Sequence, residues 1–256
     1  MDTQQKTIMI TGATGGFGTA LAQKFASDGW SLILQARSAD KAKTLIASLP
    51  SSTKYHVFMA DVTDRDAVVS AFKNLPDDFK NIDVLVNNAG LALGLSPSHK
   101  CDMDDWDMMI DVNAKALTFM TRQVLPNMVD RAVGHIVNIG STAGNYPYPG
   151  GNVYCASKAF VKQFSLALRA DLHGTNVRVS NIEPGAAETN FSLVRFKGDK
   201  DKASSVYADT KMLSADDVAD AIFWTVNCPP HMNVNRMEIM PTVQSFASHP
   251  IERSNG

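Results

Sequence analysis

A doubly wound α/β fold, one parallel sheet with helices on both faces, is what this sequence predicts, and three observations predict it. Short apolar runs alternate with longer amphipathic ones along the whole chain, the pattern of strands joined by crossover helices. A glycine-rich stretch, Gly12–Gly18, sits where the first apolar run gives way to the first amphipathic one. No repeat, low-complexity tract or linker interrupts the 256 residues, a length that suits one large α/β domain.

The elements follow in order. Lys6–Thr11 reads as the first strand, followed by a helix over about Gly16–Ser27; Ser31–Ala36 is the second strand, with a helix over about Ala39–Leu49. Tyr55–Ala60 is the third strand, and Thr63 or Asp64 caps the helix after it. Asp83–Asn87 is the fourth strand. Two helices come next, one starting near Asp104 and one over about Val112–Asp130. His135–Ile139 is strand five, a long helix covers about Val153–Leu172, and Val177–Ile182 is strand six. A helix at about Ala215–Val226 and a strand near Met237–Met240 give a seven-stranded sheet. The irregular stretch Ala186–Tyr207 follows a strand's carboxyl end, which places a lid over the crevice where such sheets bind ligands. A tail over about 241–256 ends the chain.

Composition narrows the function classes. Hydrophobic residues are 45% and charged residues 20%, and the net charge of -2 is spread without blocks. That excludes a nucleic-acid or membrane footprint. No apolar run reaches the roughly 20 residues of a membrane span, and the N-terminus has no signal-peptide pattern. Cys101, Cys155 and Cys228 form no CxxC pair, which agrees with a reducing, cytoplasmic compartment. The acidic run Asp102–Asp107 lacks the glycine and terminal glutamate of a calcium loop, and the six histidines show no ligand spacing. No metal is expected.

Gly12 permits a tight turn, Gly16 a close backbone approach to a pyrophosphate, and Gly18 close helix packing. The helix that begins there offers free N–H groups and a positive dipole end to an anion. At the end of strand two stands Gln35-Ala36-Arg37-Ser38, with no carboxylate to accept from a ribose 2′-hydroxyl. Arg37 can instead pair with a 2′-phosphate, so the expected cofactor is NADP. Tyr154 and Lys158, four apart at the start of a helix, share one face. An ammonium beside a phenol is expected to lower its pKa from about 10 and make a general acid for a carbonyl oxygen. Ser141, Asn113 and the run Asn87-Asn88-Ala89-Gly90 fall at the same sheet edge if the fold reading holds.

Together these motifs, with Pro184-Gly185, resemble the short-chain dehydrogenase/reductase family over nearly the whole chain. The resemblance implies that Ser141 orients substrate, Tyr154 is the acid/base, Lys158 binds the nicotinamide ribose and Asn113 holds a water in a proton relay. It also implies cofactor contacts from Thr14, Phe17, Asp61, Val62, Asn88, Ala89, Gly90, Pro184, Gly185 and Thr189. Gly15 departs from an NADP subgroup with a basic residue there, leaving the phosphate to Arg37 and to Thr14 or Ser38.

NNAGLALG, PYPGGNVY and VRFKGD further resemble the NADP-dependent 3-hydroxy acid dehydrogenase branch, usually homotetrameric. That likeness implies a small acidic aldehyde or alcohol, with Arg195 and Gln244 engaging the acidic group and Tyr148 and Phe246 packing on the carbon chain. Phe246 stands where relatives acting on hydroxy acids can carry tyrosine. Sulfoacetaldehyde, reduced to isethionate, is the expected substrate. Malonic semialdehyde, serine or allo-threonine is the alternative, and an NADP-sensing protein without turnover is the alternative of another class.

Overall fold

In the computed structural model, residues 5–189, 191–205 and 210–246 are described. Seven parallel strands form one sheet in the order β3-β2-β1-β4-β5-β6-β7. They are β1 Thr7–Ile10, β2 Ser31–Ala36, β3 Tyr55–Met59, β4 Val84–Asn87, β5 Gly134–Ile139, β6 Val177–Pro184 and β7 Arg236–Ile239. β1, β2, β4 and β5 are buried at every position, because helices cover both faces and no residue of these strands meets water.

Alternate side chains feed two cores. Ile8 and Ile10 of β1 pack with Leu21 and Phe25 of α1 (Gly16–Ser27) and with Val218 and Ile222 of α9 (Ala215–Val226). Met9 points the other way, into a core with Val68 of α3 (Arg65–Lys73), Met120, Val124 and Met128 of α5 (Leu117–Asp130), and Leu168 of α6 (Asn152–Asp171). Helix α2 (Ala39–Ala47) joins the first core through Leu45.

Helix starts follow capping chemistry. The Asp64 side chain accepts from Ala67 N–H, so Asp64 and not Thr63 is the cap of α3. Ser214 and Asp217 close a reciprocal capping box on α9. Asp102 caps α4 (Met103–Ile110), with Asp104 and Asp105 in its first turn, where carboxylates offset the exposed N–H groups. The acidic run thus starts a helix, and among the described residues no three His, Cys, Asp or Glu side chains group as metal ligands.

Three expectations are corrected. The two helices expected near Asp104 and over Val112–Asp130 are one helical run, in which Asp111–Ala116 forms a π-helical turn between α4 and α5. Periodicity did not show this, since apolar residues recur on both sides of the widened turn and the extra residue registers only as a shift in their phase. β6 extends to Pro184 because β7 pairs with it through Pro184↔Ile239. The stretch read as irregular contains two short helices, α7 (Phe191–Arg195) and α8 (Lys200–Ser205). Asn190, Val206 and Tyr207 of the expected lid, and the tail beyond Phe246, lie outside the described residues. Among those residues no helix is long and apolar enough to cross a membrane.

Candidate active site

The strand order reverses between β1 and β4, and a crevice opens at the carboxyl ends of the strands there. It is a cleft of about 1050 Å³, at the upper end of ligand sites. Every site residue expected from the sequence lines it except Gly18 and Asn113.

The glycine turn is built from both sides. Gly12 has φ +61, a conformation that favours glycine. A Cβ on Gly16 would lie 2.8 Å from Thr189 Cβ, and one on Gly18 would collide with the Gly12 carbonyl and stand 2.7 Å from Ala13 Cα. Gly16 therefore receives Thr189, and Gly18 seats the helix on its own turn. Asn88 fastens the turn to β4: its side-chain amide donates to the Thr11 and Gly12 carbonyls at 2.8 and 3.1 Å. Gln35, which sequence reading passed over, accepts from Gly12 N–H at 2.6 Å and donates to the Ala60 carbonyl at 2.7 Å. A polar residue in an otherwise apolar strand was the available signal.

The donor set fits a dinucleotide with an added phosphate. Gly15 caps α1 without a side-chain bond, which leaves the first N–H groups of a 12-residue helix for an anion. Thr14, Phe17 and Val62 line the same end. Arg37 and Ser38 stand at the end of β2, and Lys41, one turn into α2, adds a second cation that sequence reading also missed. Arg37 contacts the Asp61 carboxylate at 3.4 Å. Burial pushes the Asp61 pKa up, but bonds from Thr63 and the Arg37 charge outweigh it and hold the carboxyl below its usual range.

At the other end of the cleft lie Ser141, Tyr154 and Lys158. Tyr154 is buried, and burial pushes its pKa up to about 12. The Ser141 hydrogen bond and the Arg195 charge pull in the opposite direction. This departs from the expectation that Lys158 would lower the phenol. Its ammonium lies 5.9 Å from the Tyr154 ring centroid and donates to the Ile139 carbonyl at 2.7 Å. Burial brings Lys158 itself down to about 8. Asn113 sits in the π turn behind the cleft. Its side chain accepts from Leu91 N–H at 2.9 Å and donates to the Leu91 carbonyl and Ser157 hydroxyl at 2.8 and 3.0 Å. The amide therefore braces the loop that carries Ala89 and Gly90.

α7 closes the site from above. The Arg195 guanidinium lies 5.2, 5.3 and 5.7 Å from the rings of Tyr154, Phe191 and Tyr148 and donates to the Tyr148 hydroxyl at 2.6 Å. Its Nε is buried without a hydrogen-bond partner among the described residues. The Gln244 carbonyl accepts from Ala186 N–H at 2.8 Å, leaving its NH₂ as the donor. Phe246 is 59% exposed and stacks on Tyr146 at 4.8 Å, so a second aromatic residue joins the rim.

The Ser141 loop rests on a polar cluster absent from the sequence reading. Glu183, its side chain 1% exposed, pairs with Arg236 at 2.8 Å and accepts from Asn145 at 2.7 Å and Asn181 at 2.6 Å. Asn145 also donates to Glu238 and accepts from Lys162. These residues are remote in sequence, so no local motif announces them.

The family model described as short chain dehydrogenase matches residues 6–199. The chain is 50% identical to the NADP-dependent 3-hydroxy acid dehydrogenase of Salmonella typhi, over 96% of this chain and 99% of that protein. It is 48% identical to sulfoacetaldehyde reductase 2 of Chromohalobacter salexigens, over 96% and 98%. The closed form of a serine dehydrogenase complexed with NADP+ superposes with a TM-score of 0.93 at 48% identity, covering 97% of this chain and all of that one. With a family match across most of its length and relatives this similar, the chain belongs to the short-chain dehydrogenase family.

Proposed function

We propose that this protein is an NADP-dependent oxidoreductase that reduces a small acidic aldehyde, with sulfoacetaldehyde as the first candidate. The NADP reading is supported by the Arg37, Ser38 and Lys41 cluster and by NADP in the names of a relative and a solved structure. When bound, the cofactor supplies hydride to the carbonyl carbon. Tyr154 donates the proton to the carbonyl oxygen, and a phenol at about 12 stays protonated for this step at any neutral pH. Ser141 orients the same oxygen, Lys158 engages the ribose, and Asn113 keeps its place in a water relay by family resemblance.

The observation that carries the substrate class is Arg195. A half-buried guanidinium above Tyr154 whose Nε has no hydrogen-bond partner among the described residues is unfavourable on its own. A sulfonate or carboxylate would satisfy it, and two oxygens suit its fork. Gln244 supplies a neutral donor to a further oxygen, while Tyr148 and Phe246 flank the short chain. Segment 186–207, carrying Arg195 over the cleft, serves as the lid. The second reading, malonic semialdehyde or a 3-hydroxy acid such as serine, is favoured by relatives named for 3-hydroxy acids and serine at 46–50% identity. The resemblance also supports a homotetramer, and the free cysteines Cys101, Cys155 and Cys228 support a reducing, cytoplasmic compartment.

Arg195→Ala is expected to raise KM for sulfoacetaldehyde at least about tenfold and to spare propionaldehyde. Steady-state NADPH oxidation with both aldehydes checks it, and equal losses would sink the anion site. Running malonic semialdehyde beside sulfoacetaldehyde on the unaltered enzyme decides between the two acids, since preference for the carboxylate overturns the sulfonate assignment.

A further inference from the structure

Arg195 closes the last turn of a helix only five residues long, and so short a helix does not hold a side chain in place by itself. Two ties reach it from elsewhere. Its own carbonyl accepts from Gly94 N–H at 3.0 Å. Two residues on, the Lys197 ammonium lies 2.9 Å from Asp105 and 3.9 Å from Asp102, at the start of α4.

The backbone between these ties is unusual. Gly198 N–H donates to the Leu193 carbonyl and Lys197 N–H to the Val194 carbonyl, the two bonds of a Schellman cap. In that cap the left-handed residue is ordinarily glycine, yet here it is Lys197, at φ +51. The lysine costs backbone energy and brings in return an ammonium to Asp105, whose side chain is only 17% exposed. That carboxylate holds the Lys197 pKa above its ordinary value.

We propose that the Lys197–Asp105 ion pair is a strap that fixes Arg195 over the cleft, making Lys197 and Asp105 positioning residues for selectivity toward acidic substrates. The strap rests on the reading of Arg195 as the anion's partner. Neither residue lines the cleft, so their effect passes through α7. Loosening the strap leaves Tyr154 and the cofactor end intact but lets the guanidinium leave its place between the Tyr148, Tyr154 and Phe191 rings.

Lys197→Gly tests this cleanly, because it removes the ammonium while giving the cap its preferred residue, so misfolding does not confuse the result. KM for sulfoacetaldehyde is expected to rise about fivefold, the upper range for a partly exposed pair, with kcat and the KM for propionaldehyde unchanged. Asp105→Asn should match it, the double variant should lose no more than either single, and Lys197→Arg should keep most of the selectivity. Arg195→Ala run alongside separates the two ideas. If Arg195→Ala loses acid selectivity and Lys197→Gly does not, the strap is wrong and the anion site stands. Additive losses in the double variant also overturn the strap. If Arg195→Ala affects both aldehydes equally, both readings fall.

Discussion

At the scale of single residues, the two ends of the cleft obey different electrostatics. Arg37 is 67% exposed and already faces Asp61, so the pull proposed for it on a 2′-phosphate is screened and partly shared. Lys41 stands beside it on the cleft wall. Arg37→Ala is therefore expected to weaken NADPH relative to NADH by about 1.5 kcal/mol, the low end for a charge-assisted bond set. Adding Lys41→Ala should bring the two affinities close together. Fluorescence titration of both cofactors checks this, and equal weakening of both by Arg37→Ala would remove it as the phosphate reader. Arg37 was legible because a missing carboxylate at the end of a second strand is a local feature. Lys41 was not, because its relevance depends on the turn of α2 that carries it back to the cleft.

At the scale of elements, the loop between β5 and α6 shows why half of an active site escapes sequence reading. Ser141 announces itself by spacing, but what holds its loop is Asn145 hydrogen-bonded to Glu183, backed by Arg236 from the edge strand. Those partners lie 38 and 91 residues from Asn145. Asn145→Leu would leave buried Glu183 with one donor fewer, at about 2 kcal/mol. Thermal unfolding should show a fall of several degrees, and kcat should drop more than NADPH affinity. Unchanged kcat would mean that Ser141 is held by its own short turn alone. The glycines of the turn, in contrast, were readable, since strand, glycines and helix are contiguous, whereas the Gln35 brace 23 residues away was not.

At the scale of the molecule, strand positions and the parallel sheet followed from apolar runs, and helices on both faces from the long amphipathic stretches. The π turn, the α7–α8 pair and the Glu183 cluster did not, because each depends on contacts rather than on period. Burial of Tyr154 and Lys158 also marks the whole molecule. Lys158 falls to about 8 when folded against about 10.4 in an open chain. Between those values the unfolded state holds a proton that the folded state lacks, so stability rises with pH. Without cofactor the gain from pH 8 to 10 is about 3 kcal/mol at most. Above pH 10 Tyr154, folded near 12, reverses the sign, since the folded state then keeps the extra proton. Urea unfolding at pH 7 to 10 should show the rise in the native protein and not in Lys158→Met. Parallel curves would show that Lys158 is not desolvated as described.

The widened turn at Asp111–Ala116 sets a counting rule for the whole chain. Each helical residue turns the chain by about 100°, so the extra residue in that turn decides two directions at once. Within the turn it aims the Asn113 amide at Leu91; downstream it aims Met120, Val124 and Met128 into the core. A chain shortened by one residue there could keep one direction but not both. Changes of length between Met103 and Asp130 are thus barred by phase, while the loop that begins at Leu91 can absorb them.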